Sequence, residues 1–132
     1  MVGDLDLLKK VEPVIVKIAE AADEGLNPDG SMIYENFVSK GKIDRELHWW
    51  VQAENVVGHV NLFQHFGDEE ALQISLRCWN FIQTKLVDKV HGEWYWSLYA
   101  DGTINMKDDK AGFWKCPYHN GRMCMEILER FS

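Results

Sequence analysis

Residues 45–54 read RELHWWVQAE, and this stretch decides the fold. Continued to residue 66, it places apolar side chains at Trp49, Ala53, Val56, Val60 and Phe63. That spacing is helical and predicts a helix from about Glu46 to Phe66. Trp50, Glu54, Val57 and Asn61 form a second face, within about 60° of one another on a helical wheel. A helix that only walls a bundle has little use for Trp beside Glu on that edge. A helix lining a polar cavity does. The expected fold class is therefore all-α, with αα-hairpins forming a slice of a solenoid or toroid rather than a closed four-helix bundle.

Three further helices follow from the same logic. Leu8, Val11, Ile15, Ile18 and Ala22 keep helical period across Pro13, which is expected to kink the helix or to open its second half. Gly25 is a suitable stop. After Gly67, Asp68 is an N-cap and Glu69 and Glu70 suit the positive end of a helix whose stripe is Leu72, Ser75, Trp79, Ile82 and Leu86. The last helix is expected from Pro117 to the C-terminus, with Cys124, Ile127, Leu128 and Phe131 on its apolar side. Between the helices lie NPDGSMIYENF (residues 27–37) and HGEWYWSLYADGTINM (residues 91–106). In the second, Trp94, Trp96 and Leu98 alternate and residues 100–103, Ala-Asp-Gly-Thr, signal a turn, so a short β-hairpin is expected. Helix, strand-like segment and helix recur with a period of roughly 60 residues.

Composition narrows the partners. The 132 residues carry a net charge of −7. Like-charge repulsion argues against a nucleic-acid backbone or an anionic membrane surface. No run approaches the ~20 apolar residues of a membrane helix. The N-terminus lacks the pattern of a secretory signal, so a cytoplasmic location is expected. Cys78, Cys116 and Cys124 have no metal-ligand spacing and read as free thiols; no metal is expected. No linker or charge block divides residues 1–132, which read as a single domain.

The second chemistry-bearing stretch is GFWKCPYHNGRMC, residues 112–124. Tryptophan faces stack on the C–H faces of sugar rings, while Glu, Gln, Asn, Arg and His bond hydroxyls. His119 is the candidate acid–base group, with Arg122 and Glu126 on its side of the helix. His48, His59, His65 and His91 are scattered and read as structural. Trp49 and Trp79 lie on apolar helical stripes and Trp94 and Trp96 in the expected hairpin, so these four read as core or hairpin packing.

WWVQAE (49–54), WKCPYHNGR (114–122) and GEWYW (92–96) with its following Asp-Gly turn resemble the C-terminal part of the N-acylglucosamine 2-epimerase family, nearest its cellobiose (mannobiose) 2-epimerases. The resemblance implies one third of an (α/α)6 barrel of twelve helices with short β-hairpin decorations. It implies epimerisation at C2 of the reducing-end aldose of a disaccharide, without a cofactor, through an enediolate handled by two histidines. His119 matches one of the two. Trp114 matches a Trp that packs on the sugar, and Trp50 and Glu54 match residues lining the pocket. Arg122 is a candidate donor to the enediolate oxygen. The family's other histidine falls in helices upstream of this stretch. The expected partners are thus a mono- or disaccharide, with either self-association or an N-terminal barrel portion. The competing expectations are a non-catalytic carbohydrate-binding or structural remnant, and a 2-epimerase acting on N-acylglucosamine.

Overall fold

The computed structural model describes residues 5–132. Helix α1 spans Leu5–Asp23 and passes through Pro13 without interruption. A two-stranded antiparallel ribbon follows, β1 (Glu35–Phe37) with β2 (Lys42–Asp44). Then come β3 (Leu47–His48), α2 (Trp49–Phe66) and α3 (Glu69–Phe81), which widens into a π-turn at Ile82–Leu86. Strand β4 (Ser97–Leu98) pairs antiparallel with β3, and α4 (Tyr118–Arg130) ends the chain.

Helix α2 begins three residues later than its periodicity predicts. Residues 47–48 are claimed by the ladder to β4, and Trp49 N donates to Trp96 O at 3.0 Å. A backbone group bonded across a ladder is not free for a helical turn. At the other end Gly67 adopts φ +69° and its N–H closes on Phe63 O.

Helix α2 is the central element, buried on two sides. Its apolar positions Trp49, Ala53, Val56 and Val57 join Cys78, Phe81, Ile82 and Leu86 of α3 and its π-turn, Trp94 and Leu98 of the following segment, and Met123 of α4 in one core, and Val60 is buried one turn further on. Two of its buried polar side chains bond the loop before it. Gln52 accepts from Met32 N at 2.9 Å and donates to Met32 O at 2.8 Å, and Asn55 donates to Gly30 O at 2.8 Å. Gly30 has φ +83°, and a Cβ there would sit 2.6 Å from Cys78 N. The crossing of this loop over α3 therefore requires glycine.

The N-cap of α3 forms as expected, with Asp68 Oδ1 accepting from Ala71 N at 3.0 Å. Of the expected stripe, Ser75, Ile82 and Leu86 are buried. Ala71, Ser75, Cys78 and Phe81 face α2, whereas Leu72 and Trp79 are half-buried beside an open groove. The reason is the same in α4, where Asn120 and Met123 reach the core but Cys124, Leu128 and Phe131 remain exposed. Helices α3 and α4 both lean on α2 without closing on each other. The stripe of α1 is likewise open: Leu8, Val11, Ile15 and Ile18 are exposed along a groove shared with Leu62 and Phe66 of α2. One tie to α1 is polar, His59 Nε2 to Asp23 Oδ1 at 3.1 Å.

The expected turn at residues 100–103 is present. Tyr99 N donates to Thr103 O, and Asp101 Oδ1 accepts from Thr103 N. Strand β4, which leads into it, also pairs with β3, a partner the alternation did not reveal. The first loop forms its strand at residues 35–37, pairing with residues 42–44.

Candidate active site

Helices α2 and α4 converge on a cleft of about 370 Å³ lined by Trp49, Trp50, Trp96, Trp114 and His119. Trp50 and Glu54 are one turn apart on α2, so their side chains share a face. Pro117 is the N-cap of α4, which leaves His119 in the helix's first turn. Packing of α4 on α2 through Met123 brings the two faces together.

His119 Nδ1 lies 2.7 Å from Glu54 Oε1. An ionised carboxylate only accepts, so Nδ1 is the donor in this contact. The imidazole is framed by rings: Trp49 at 5.3 Å and edge-on, Trp50 at 5.8 Å and tilted, Tyr118 at 4.9 Å and edge-on. The other oxygen of Glu54 accepts from Arg122 Nη2. Arg122 Nη1 donates to Glu126 Oε1 at 2.5 Å, and Arg130 donates to Glu126 Oε2 at 3.0 Å. Burial pushes the Glu54 carboxyl up, but the bonds from Arg122 and His119 together outweigh it and hold the group below its ordinary value. Glu54 therefore stays ionised beside the imidazole. The same pairing raises the Arg122 guanidinium, chiefly through Glu54.

The structure thus brings together His119, Glu54, Arg122 and Trp50, and places Trp114 at the cleft mouth with its ring 81% exposed. Two tryptophans read from sequence as packing also face the cleft. Trp96 lines it directly, because pairing of β4 with β3 turns the Trp96 backbone toward Trp49. Trp49 is a core residue, 2% exposed, and also forms the floor of the cleft. Beside it Tyr34 stacks on His48 at 4.0 Å and meets Trp50 edge-on at 6.1 Å. Burial lowers the pKa of His48, against the opposing charge of Glu46. Sequence reasoning also missed Lys115, which is 1% exposed among aromatic and carbonyl groups. No pattern distinguishes it from a surface lysine.

Among the described residues, no group of three His, Cys, Asp or Glu side chains is placed to hold a metal ion. None of their helices is long and apolar enough to cross a membrane. The three cysteines are free. Burial pushes the Cys78 thiol up to about 12.

The model of N-acylglucosamine 2-epimerase (GlcNAc 2-epimerase) matches residues 7–121. The chain belongs to the N-acylglucosamine 2-epimerase family. Within it, the cellobiose 2-epimerase of Bacteroides fragilis is 62% identical over 128 residues, which are 97% of this chain and 33% of that protein. Among solved structures, a sugar epimerase from a ruminal bacterium superposes with a TM-score of 0.89 at 41% identity, over 97% of this chain and 33% of the other. The cellobiose 2-epimerase of Bacillus thermoamylovorans gives 0.82 at 42% identity, over 91% and 30%. The chain spans about a third of the length of these relatives. Its fold is the expected one for the N-acylglucosamine 2-epimerase family: helical hairpins of an (α/α)6 barrel, decorated by two small antiparallel sheets.

Proposed function

We propose that this chain carries the C-terminal share of a sugar 2-epimerase site acting on the reducing-end aldose of a disaccharide such as cellobiose. The supporting observation is the His119–Glu54 bond inside a tryptophan-lined cleft. A proton α to a carbonyl needs a base held at bonding distance, and a positioned imidazole supplies typically 10²–10⁴-fold. In this reading Trp50, Trp96 and Trp114 hold the opened sugar by its C–H faces. Nε2 of His119 removes the C2 proton, and electrons move into the C1 carbonyl to give an enediolate. Rotation about C2–C3 presents the other face of C2, and a proton returns there to give the epimer. Arg122, held by two carboxylates, acts mainly by fixing Glu54 and so the imidazole. The second histidine of the family lies upstream of this stretch in the resemblance, so the acid–base pair is completed by an N-terminal barrel portion.

The test is cellobiose in D2O with the purified chain, C2 exchange being read by NMR and binding by tryptophan fluorescence. The expected result is saccharide-dependent quenching and His119-dependent C2 exchange, without full-rate epimer formation by the chain alone. Absence of both quenching and exchange overturns the reading. The chain's span of about a third of its relatives favours one second reading, a carbohydrate-binding segment without turnover. His119→Ala separates the two, since a binding segment has no exchange to lose.

A further inference from the structure

Lys115 is the one buried residue between positions 106 and 118, in a stretch with no helix or strand before α4. Its neighbours Trp114 and Cys116 point outward. We propose that the Lys115–Glu93 ion pair, its ammonium buried and its carboxylate partly exposed, is a positioning device that sets the Trp114 loop and the His119 turn in one register against α2. The proposal deepens the epimerase reading and rests on it for the role of those two side chains.

Lys115 Nζ lies 3.1 Å from Glu93 Oε1 and donates to Lys110 O at 2.8 Å and to Trp94 O. The loop is thereby tied to the segment leading into β4, and it closes on itself through Gly112 N to Lys115 O at 2.9 Å. The same Glu93 oxygen accepts from Asn120 Nδ2 at 2.9 Å. Asn120 is buried and follows His119 directly. One carboxylate oxygen therefore joins the loop carrying Trp114 to the first turn of α4. A second route runs through Trp49. The Lys115 ammonium sits 5.0 Å from the centre of that ring, whose edge or face meets His119 at 5.3 Å.

Burying an ammonium to pair it is a poor way to gain stability, because its desolvation cost rivals the attraction; an apolar side chain would serve the core as well. Directional donors do what an apolar side chain cannot, which is to specify one placement. Glu93 supports this. It is the only non-glycine residue with positive φ among the described residues, at +63°, a conformation unfavourable for a residue with a Cβ. That backbone aims its carboxylate at both partners.

The experiment compares Lys115→Met and Glu93→Gln with Val60→Ala, a core truncation outside the cleft, in the whole chain. His119 ring signals are followed by ¹H–¹⁵N NMR, cellobiose binding by tryptophan fluorescence and stability by thermal melting. In Lys115→Met the His119 ring signals should shift or broaden and cellobiose binding weaken by about tenfold or more, as expected when positioned groups move by about 1 Å. Val60→Ala should lower Tm and leave both unchanged. If Lys115→Met does not fold, Glu93→Gln decides, since it keeps an acceptor for Asn120 and removes only the charge. A Tm loss with unchanged His119 signals overturns the proposal. Absence of any cellobiose response in the unmodified chain counts against the sugar reading alone, because the His119 signals still report on register.

Discussion

Glu54 Oε1 and His119 Nδ1 are 2.7 Å apart and 65 residues apart in the chain. That bond orients a histidine in the first turn of α4. Glu54→Gln keeps the shape and removes the charge that selects the Nδ1–H tautomer. C2 exchange should fall by about 10²-fold or more, with little change in the helical circular dichroism signal. Unchanged exchange in this variant would remove Glu54 from the mechanism.

Trp114 is mostly solvent-exposed, and its ring meets Phe113 edge-on at 4.9 Å. Trp114→Ala should leave stability within about 0.5 kcal/mol, as for most surface substitutions. It should nevertheless abolish most of the saccharide-dependent fluorescence change. Chemical denaturation and a cellobiose titration measure the two separately.

Acid should loosen the α2–α4 contact. The carboxyls of Glu54 and Glu126 both lie below the ordinary glutamate value of 4.5. For Glu126 the largest cause is the bond from Arg130; for Glu54 the bonds from Arg122 and His119 overcome burial. A group depressed on folding contributes stability that is complete above its unfolded pKa and is lost as pH falls through the folded one. Melting temperature should therefore hold above about pH 5 and decline below 4.5. Glu54→Gln should flatten that decline.

Gly30 permits no side chain. A Cβ would meet Cys78 N at 2.6 Å and Arg77 Cβ at 2.7 Å, at φ +83°. Gly30→Ala should cost about 2–5 kcal/mol from strain and overpacking together. Gly41 also has positive φ, but nothing lies within 4 Å of its Cβ position, so Gly41→Ala should cost only about 1 kcal/mol. Urea unfolding of the pair isolates the packing contribution.

The groove of Leu72, Leu76, Trp79, Ile127, Leu128 and Phe131 is open, as is the stripe of α1. Exposed apolar faces of this kind favour association. Light scattering on the chain alone should show self-association, reduced by Leu128→Lys. A monodisperse monomer with a cooperative melt would contradict this expectation.

The amino-acid sequence determined the helices, the Asp68 cap, the turn at residues 100–103 and the residue types of the cleft. Each of these depends on local periodicity or on one side chain meeting a nearby backbone group. It also carried Trp50, Glu54, Trp114 and His119 as candidates, because their motifs are contiguous. Tertiary structure decided what contiguity cannot express. The start of α2 moved to Trp49 because a strand 50 residues downstream took the backbone of residues 47–48. Trp96 joined the cleft through that same ladder. Leu72 and Trp79 of α3 and Cys124, Leu128 and Phe131 of α4 stay open because burial is set by the neighbour a helix leans on, not by its own period alone. Lys115 became interior because Trp94 O and the Glu93 carboxylate of a distant segment meet its ammonium group together with Lys110 O of its own loop, a convergence with no signature along the chain.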